Sequence, residues 1–165
     1  MPDPLDPAAE LHRLLRERGS TVATAESLTG GRLAALLTAV PGASATYVGG
    51  VVTYATELKV SLLGVPTGLV EEHGVISAEC ARAMAAGARR VLGATYALST
   101  TGVAGPDRQE GHPPGTVFVG LAGPGVSEAV PLELAGDRWT VQDATCRRAV
   151  ALLLAILGGE ETALG

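Results

Sequence analysis

Aromatic residues are scarce in this chain: one Phe, one Trp and three Tyr, 3% of 165 residues. A surface that stacks bases needs more rings than that, and 12 Lys and Arg against 17 Asp and Glu leave a net charge of −5 with no basic footprint. Both shortages speak against nucleic-acid binding. They also require a core packed from Ala, Val and Leu. Cysteine is limited to Cys80 and Cys146, far apart and without a CxxC or a histidine cluster, so no disulfide framework is expected and a reducing cytoplasm is. No long apolar run occurs; Ala149 to Leu157 is about half of the ~20 residues a membrane span needs. The N-terminus lacks a basic region followed by an apolar stretch, so no signal peptide is expected. Lysine is as scarce as Phe and Trp. Lys59 is the only one, and every other basic side chain apart from the three histidines is arginine.

What is present describes a folded chain: 47% hydrophobic and 18% charged residues, in a length suited to one compact domain. Asp6-Pro7 reads as a helix start, Leu11, Leu14 and Leu15 as its apolar stripe, and Gly19 as its end. A β-branched segment around Val22 leads into Thr24-Ala25-Glu26-Ser27-Leu28-Thr29-Gly30-Gly31, followed by a helix from about Arg32 to Ala39. Tyr47 to Tyr54 reads as a strand in which Gly49-Gly50 permits a bulge or a close backbone approach. Helices are expected over Ala55 to Leu63, after Pro66 to His73, and from Ala78 to Leu92 under a Ser77 cap. Strands follow over Ala94 to Thr100, Thr116 to Ala122 and Val126 to Leu134, the last two as a hairpin across Pro124-Gly125. Gly136-Asp137 opens a final helix to about Leu157, with a frayed tail expected from about 158. No repeat or interdomain linker is visible. The alternation predicts a single α/β domain over 1–165, a three-layer α/β/α sandwich around a mixed, mostly parallel sheet.

Ser27 stands in a strand-to-helix turn, where a hydroxyl can be presented as a nucleophile, and the amides of Thr29, Gly30 and Gly31 can receive an anion at a helix N-terminus. A serine needs a base. His12 reads as a solvated side chain on the first helix, His73 as a helix C-terminal residue, and His112 lies in a long loop; none has an orienting carboxylate in view. Lys59 is the better candidate, because a desolvated lysine can lose its proton and an arginine cannot. Tyr54 and Glu26 flank these residues, Glu26 more simply as a cap than as a partner of Lys59. Thr101-Gly102-Val103-Ala104-Gly105-Pro106 leaves a strand as a glycine-rich loop that can cradle an oxyanion or a phosphate, and Arg138 at the last helix start can face a phosphate. Each of these also has a plain structural reading.

Taken together, the blocks Ala25–Gly31, Val40–Ser44, Gly49–Tyr54 with Lys59, His73–Ser77, Thr101–Pro106 and Gly115–Val117 resemble the CinA C-terminal domain family, over about Leu11 to Leu157. The resemblance implies an α/β/α sandwich, no metal, and hydrolysis of nicotinamide mononucleotide (NMN) to nicotinate mononucleotide and ammonia; no cofactor is expected, and composition adds the expectation of no membrane or nucleic-acid partner. It implies Ser27 and Lys59 as catalytic serine and lysine, Tyr54 and Thr101 in support, and a form without the N-terminal pyrophosphatase-like domain often fused in the family. Substrate contacts are expected from Thr29, Gly30, Gly31, Gly102 and Arg138, and a homo-oligomer is expected. Departures are Leu28 where the family usually has cysteine, the loop Asp107 to His112 where it is usually glycine-rich, and Gln142 where a second arginine is common. The alternative is a nucleotide-binding regulatory module of the same fold with weak catalysis.

Overall fold

The computed structural model describes residue 3 and residues 5–164. Five strands, β1 (Val22–Glu26), β2 (Tyr47–Val52), β3 (Tyr96–Gly102), β4 (Thr116–Gly123) and β5 (Val126–Glu133), form one sheet in the order β2-β1-β3-β4-β5. Pairing is parallel across β2-β1-β3 and antiparallel across β3-β4-β5, so the sheet is mixed as expected. Helices α1 (Leu5–Glu17), α2 (Arg32–Thr38) and α6 (Arg138–Leu164) cover one face, and α3 (Thr56–Leu63), α4 (Thr67–His73) and α5 (Ala78–Leu92) the other.

The layering follows from the side-chain periods. On α1, Ala8, Leu11, Leu14 and Leu15 make one buried stripe. They meet Leu33 and Leu37 of α2 and Leu153 and Leu157 of α6 in the first core. Along β1, Val22 points into that core, whereas Ala23 and Ala25 point into the second, with Leu63, Met84 and Ala88. Both faces of β1 and β3 are covered, which is why these strands read as continuous runs of buried small residues. Truncating a fully buried leucine such as Leu11 or Leu153 to alanine costs about 3 kcal/mol.

Two crossings are set by missing side chains. A Cβ on Gly87 of α5 would stand 2.0 Å from the Leu63 carbonyl oxygen, and one on Gly120 of β4 2.2 Å from the Ala81 carbonyl oxygen of α5. The same Ala81 carbonyl accepts the Ser99 hydroxyl at 2.6 Å. The β1–β2 register slips by one residue after Val22, the irregularity that Gly49-Gly50 foreshadows.

Two expectations are corrected. His12 is not solvated: it is fully buried, its Nε2 2.8 Å from the Leu37 carbonyl and its Nδ1 2.5 Å from the Thr46 hydroxyl. The contact of Nε2 with the Leu37 carbonyl ties α1 to the end of α2. The last helix does not stop near Leu157. Gly158 and Gly159 keep helical backbone instead of turning left-handed, and α6 continues to Leu164.

Candidate active site

Ser27, Lys59 and Thr101 lie at the carboxyl ends of, or just beyond, the three parallel strands. The crossover from β1 to β2 carries α2 on one face of the sheet, and the return to β3 carries α3, α4 and α5 on the other. Where such crossovers diverge, a crevice opens at the strand ends. Here it is a cavity of about 310 Å³, lined by Ser27, Leu28, Tyr54, Lys59, Val75, Ile76, the 101–109 segment and Arg138.

Lys59 is 1% exposed. Its Nζ lies 2.9 Å from Ser27 Oγ, 2.6 Å from the Thr53 carbonyl and 3.2 Å from the Tyr54 carbonyl. A neutral amine has two N–H groups and one lone pair. The two carbonyls can only accept, so they take both N–H groups, and the lone pair faces the serine hydroxyl. Burial pulls the amine below its ordinary 10.5, and the charges of Cys80, Glu110 and Glu57 act in the opposite direction. The Cys80 thiol is itself pushed up to about 11 by burial, so near neutrality it carries no charge to hold the lysine proton. As an ammonium the lysine donates to all three oxygens, the serine's included; as a neutral amine it offers that hydroxyl an acceptor for its proton.

The turn that presents Ser27 is locked from beneath. Glu26 is 1% exposed, and its carboxylate accepts the Thr29 hydroxyl at 2.6 Å and the amides of Gly31, Leu33 and Ala34 at 3.2, 2.8 and 3.1 Å. With Thr29 donating to Glu26, the Thr100 hydroxyl donates to Thr29 at 2.8 Å and accepts the Ser27 amide at 3.3 Å. The Gly30 amide is also taken, by the Ser27 carbonyl at 3.1 Å. Glu26 is therefore the cap expected of it. The consequence for Thr29, Gly30 and Gly31 is a correction: their helix N-terminus already holds an anion, the protein's own carboxylate, and none of the three lines the cavity.

Thr101 and Gly102 do line it. The Thr101 hydroxyl gives its proton to the Val75 carbonyl at 2.6 Å, so it braces the wall. Arg138 spans the mouth, donating to the Gly105 carbonyl at 2.7 Å and to the Tyr54 hydroxyl at 3.1 Å. Neither His73 nor His112 reaches the cavity; His73 sits 3.7 Å from Glu72 and 3.8 Å from Glu79. Gln142 is not at the mouth either: it is 8% exposed and donates to the Leu28 carbonyl at 2.8 Å. Among the described residues no group of three or more His, Cys, Asp or Glu side chains could hold a metal ion, and no helix is long and apolar enough to cross a membrane. The sequence reading missed two contributors. Arg108 lines the cavity, and Glu110 accepts the amides of Val75 and Ile76. The pair Glu110-Gly111 was the only signal, because an X-Gly pair suits the two positive φ values of a type I′ turn.

Comparison with known proteins gives a consistent picture. Residues 5–157 match the CinA C-terminal domain family. A CinA-like protein of Frankia casuarinae is 51% identical over 146 residues, 88% of this chain and 34% of that protein. Another from Citrifermentans bemidjiense is 47% identical over 153 residues, 92% of this chain and 37% of that protein. The chain thus spans about a third of the length of the curated relatives it matches. Among solved structures, a competence-damaged protein (CinA) superfamily protein from Klebsiella pneumoniae has a TM-score of 0.92 at 34% identity, covering 96% of this chain and 99% of its own. A competence/damage inducible protein from Agrobacterium tumefaciens has a TM-score of 0.90 at 31% identity, covering 96% and 98%.

Proposed function

The chain belongs to the CinA C-terminal domain family, and from that premise we propose that it is an amidohydrolase converting NMN to nicotinate mononucleotide and ammonia. The observation that carries this reading is the 2.9 Å contact between Ser27 Oγ and the buried Lys59 Nζ in the cavity wall. Neutral Lys59 takes the Ser27 proton as Oγ attacks the carboxamide carbon, and the carbonyl electrons move onto oxygen. The lysine ammonium returns that proton to the amide nitrogen, the C–N bond breaks, and ammonia leaves an acyl ester on Ser27. Water then attacks the ester with Lys59 again as base, which frees the carboxylate and restores the serine.

Because Glu26 occupies the amides at the start of α2, stabilisation of the oxyanion falls to the Thr101–Pro106 wall, where one donor is worth about 3 kcal/mol of barrier. Arg138 at the mouth supplies the charge for the 5′-phosphate, and Tyr54, its hydrogen-bond partner, keeps it there until substrate arrives. Lys59→Arg keeps a cation and removes the base, so ammonia release from NMN should fall about a thousandfold. Release near the wild-type rate would refute the pairing. Calorimetric binding of NMN by the wild type without ammonia release would replace the enzyme by a nucleotide-binding regulatory module.

A further inference from the structure

Among the described residues other than glycine, Glu110 alone has a positive φ, 50°. A side chain there crowds its own carbonyl, and such strain persists only where the surroundings impose it. The turn is closed by Gln109 and His112, whose amides donate to each other's carbonyls at 3.1 and 2.8 Å. It aims the Glu110 carboxylate at the start of α5, where Oε1 accepts the Ile76 amide at 2.9 Å and Oε2 the Val75 amide at 3.2 Å. Gly74 makes room, since a Cβ there would stand 2.8 Å from Glu110 Oε1. The Val75 carbonyl in turn accepts the Thr101 hydroxyl. Val75, Ile76 and Thr101 line the cavity, whereas Glu110 does not.

We propose that Glu110 is a positioning residue for the Ser27–Lys59 pair, holding the cavity loop against Val75 and Ile76 through their amides without touching a substrate. It rests on the reading of that pair as nucleophile and base. The groups that face Lys59 are Glu57 on its own helix, Cys80 on α5, Glu110 on the loop, and Tyr54 and Ser27 at the cavity. The Glu110 carboxylate favours the lysine's proton, and the closed loop, by excluding water, disfavours it. Loss of the charge and loss of the closure therefore move the lysine in opposite directions.

Lys59 is the only lysine, so protein labelled with ¹³C,¹⁵N-lysine gives one side-chain NMR signal whose pH titration needs no substrate. In Glu110→Gln, which keeps the size and one acceptor oxygen, the midpoint should fall by about half a pH unit. A midpoint that stays put or rises overturns the proposal. Glu110→Gly relaxes the positive φ, so the turn still forms without the clamp. There, hydrogen exchange at the Val75 and Ile76 amides should speed up about tenfold or more, and unchanged exchange overturns the proposal. Failure of the wild type to release ammonia from NMN would sink the amidohydrolase reading alone and leave both measurements standing.

Discussion

Gln142 donates its side-chain amide to the Leu28 carbonyl at 2.8 Å, joining α6 to the residue that follows Ser27. Gln142 thus serves as a brace under the turn that carries Ser27. Gln142→Ala leaves a buried carbonyl unpaired and should cost about 1–2 kcal/mol in urea unfolding. The turnover number for NMN should drop, while the ratio of KM for NMN to KM for its dephosphorylated riboside stays fixed. A rise in that ratio would return position 142 to the phosphate.

The proposed role of Lys59 as base predicts a pH dependence. A lysine base acts as the neutral amine, so under that proposal kcat/KM should rise with pH through the lysine's titration and level off above it, with the limb below 10.5 because burial penalises the ammonium. The same displacement acts on stability. Between the lowered folded value and 10.5 the unfolded chain holds a proton that the folded chain has released, so stability from this group grows as pH rises, by up to about 1.4 kcal/mol per unit. Lys59→Met should lack that increment. Urea unfolding of both proteins at several pH values in the window gives the difference, and parallel curves would contradict it.

Glu26 closes the N-terminus of α2 with three backbone amides and one hydroxyl. Glu26→Ala strands those donors and should cost about 3 kcal/mol, which for a domain of this size lowers Tm by roughly 6–12 °C. Glu26→Gln keeps acceptor capacity and should lose roughly half as much. Thermal melts of the two variants decide between a charged cap and a residue that merely fills space.

Arg138 faces the mouth of the cavity with Tyr54 and Gly105 as partners. Arg138→Met should raise KM for NMN about tenfold or more, as expected for a lost charge-assisted contact, and leave KM for the riboside nearly unchanged. Equal losses on both substrates would show that the arginine holds the mouth in shape and does not read the phosphate.

Much of the fold was legible because its periods are strong. The stripe on α1 and the Ser77 cap, which accepts the Cys80 amide, stand where sequence chemistry puts them. The contact of Ser27 with Lys59 was legible for another reason: the chain has a single lysine, which singled out one partner for the serine. What stayed hidden depends on paths through space. The Glu26 carboxylate reaches residues five, seven and eight positions on only because Gly30 and Gly31 turn left-handed, at φ 57° and 101°. His12 looks like a surface residue among Glu10, Arg13 and Glu17. The hydroxyl that buries it comes from Thr46, 34 positions away. Glu110 required a glutamate in a backbone region that sequence rules reserve for glycine or asparagine.

The close crossing of α5 over the sheet bears on how a mutational-tolerance map of this chain would look. At Gly87 and Gly120 the smallest added side chain meets a backbone oxygen of another element, which no rotamer change can move aside. Under the proposed reaction, a saturation screen scored on ammonia release from NMN should show those two columns as blank as those of Ser27 and Lys59, though neither glycine lines the cavity. Purified variants would separate the two kinds of blank, since the glycine variants should lose the folded protein and the Ser27 variants, as proposed, only turnover.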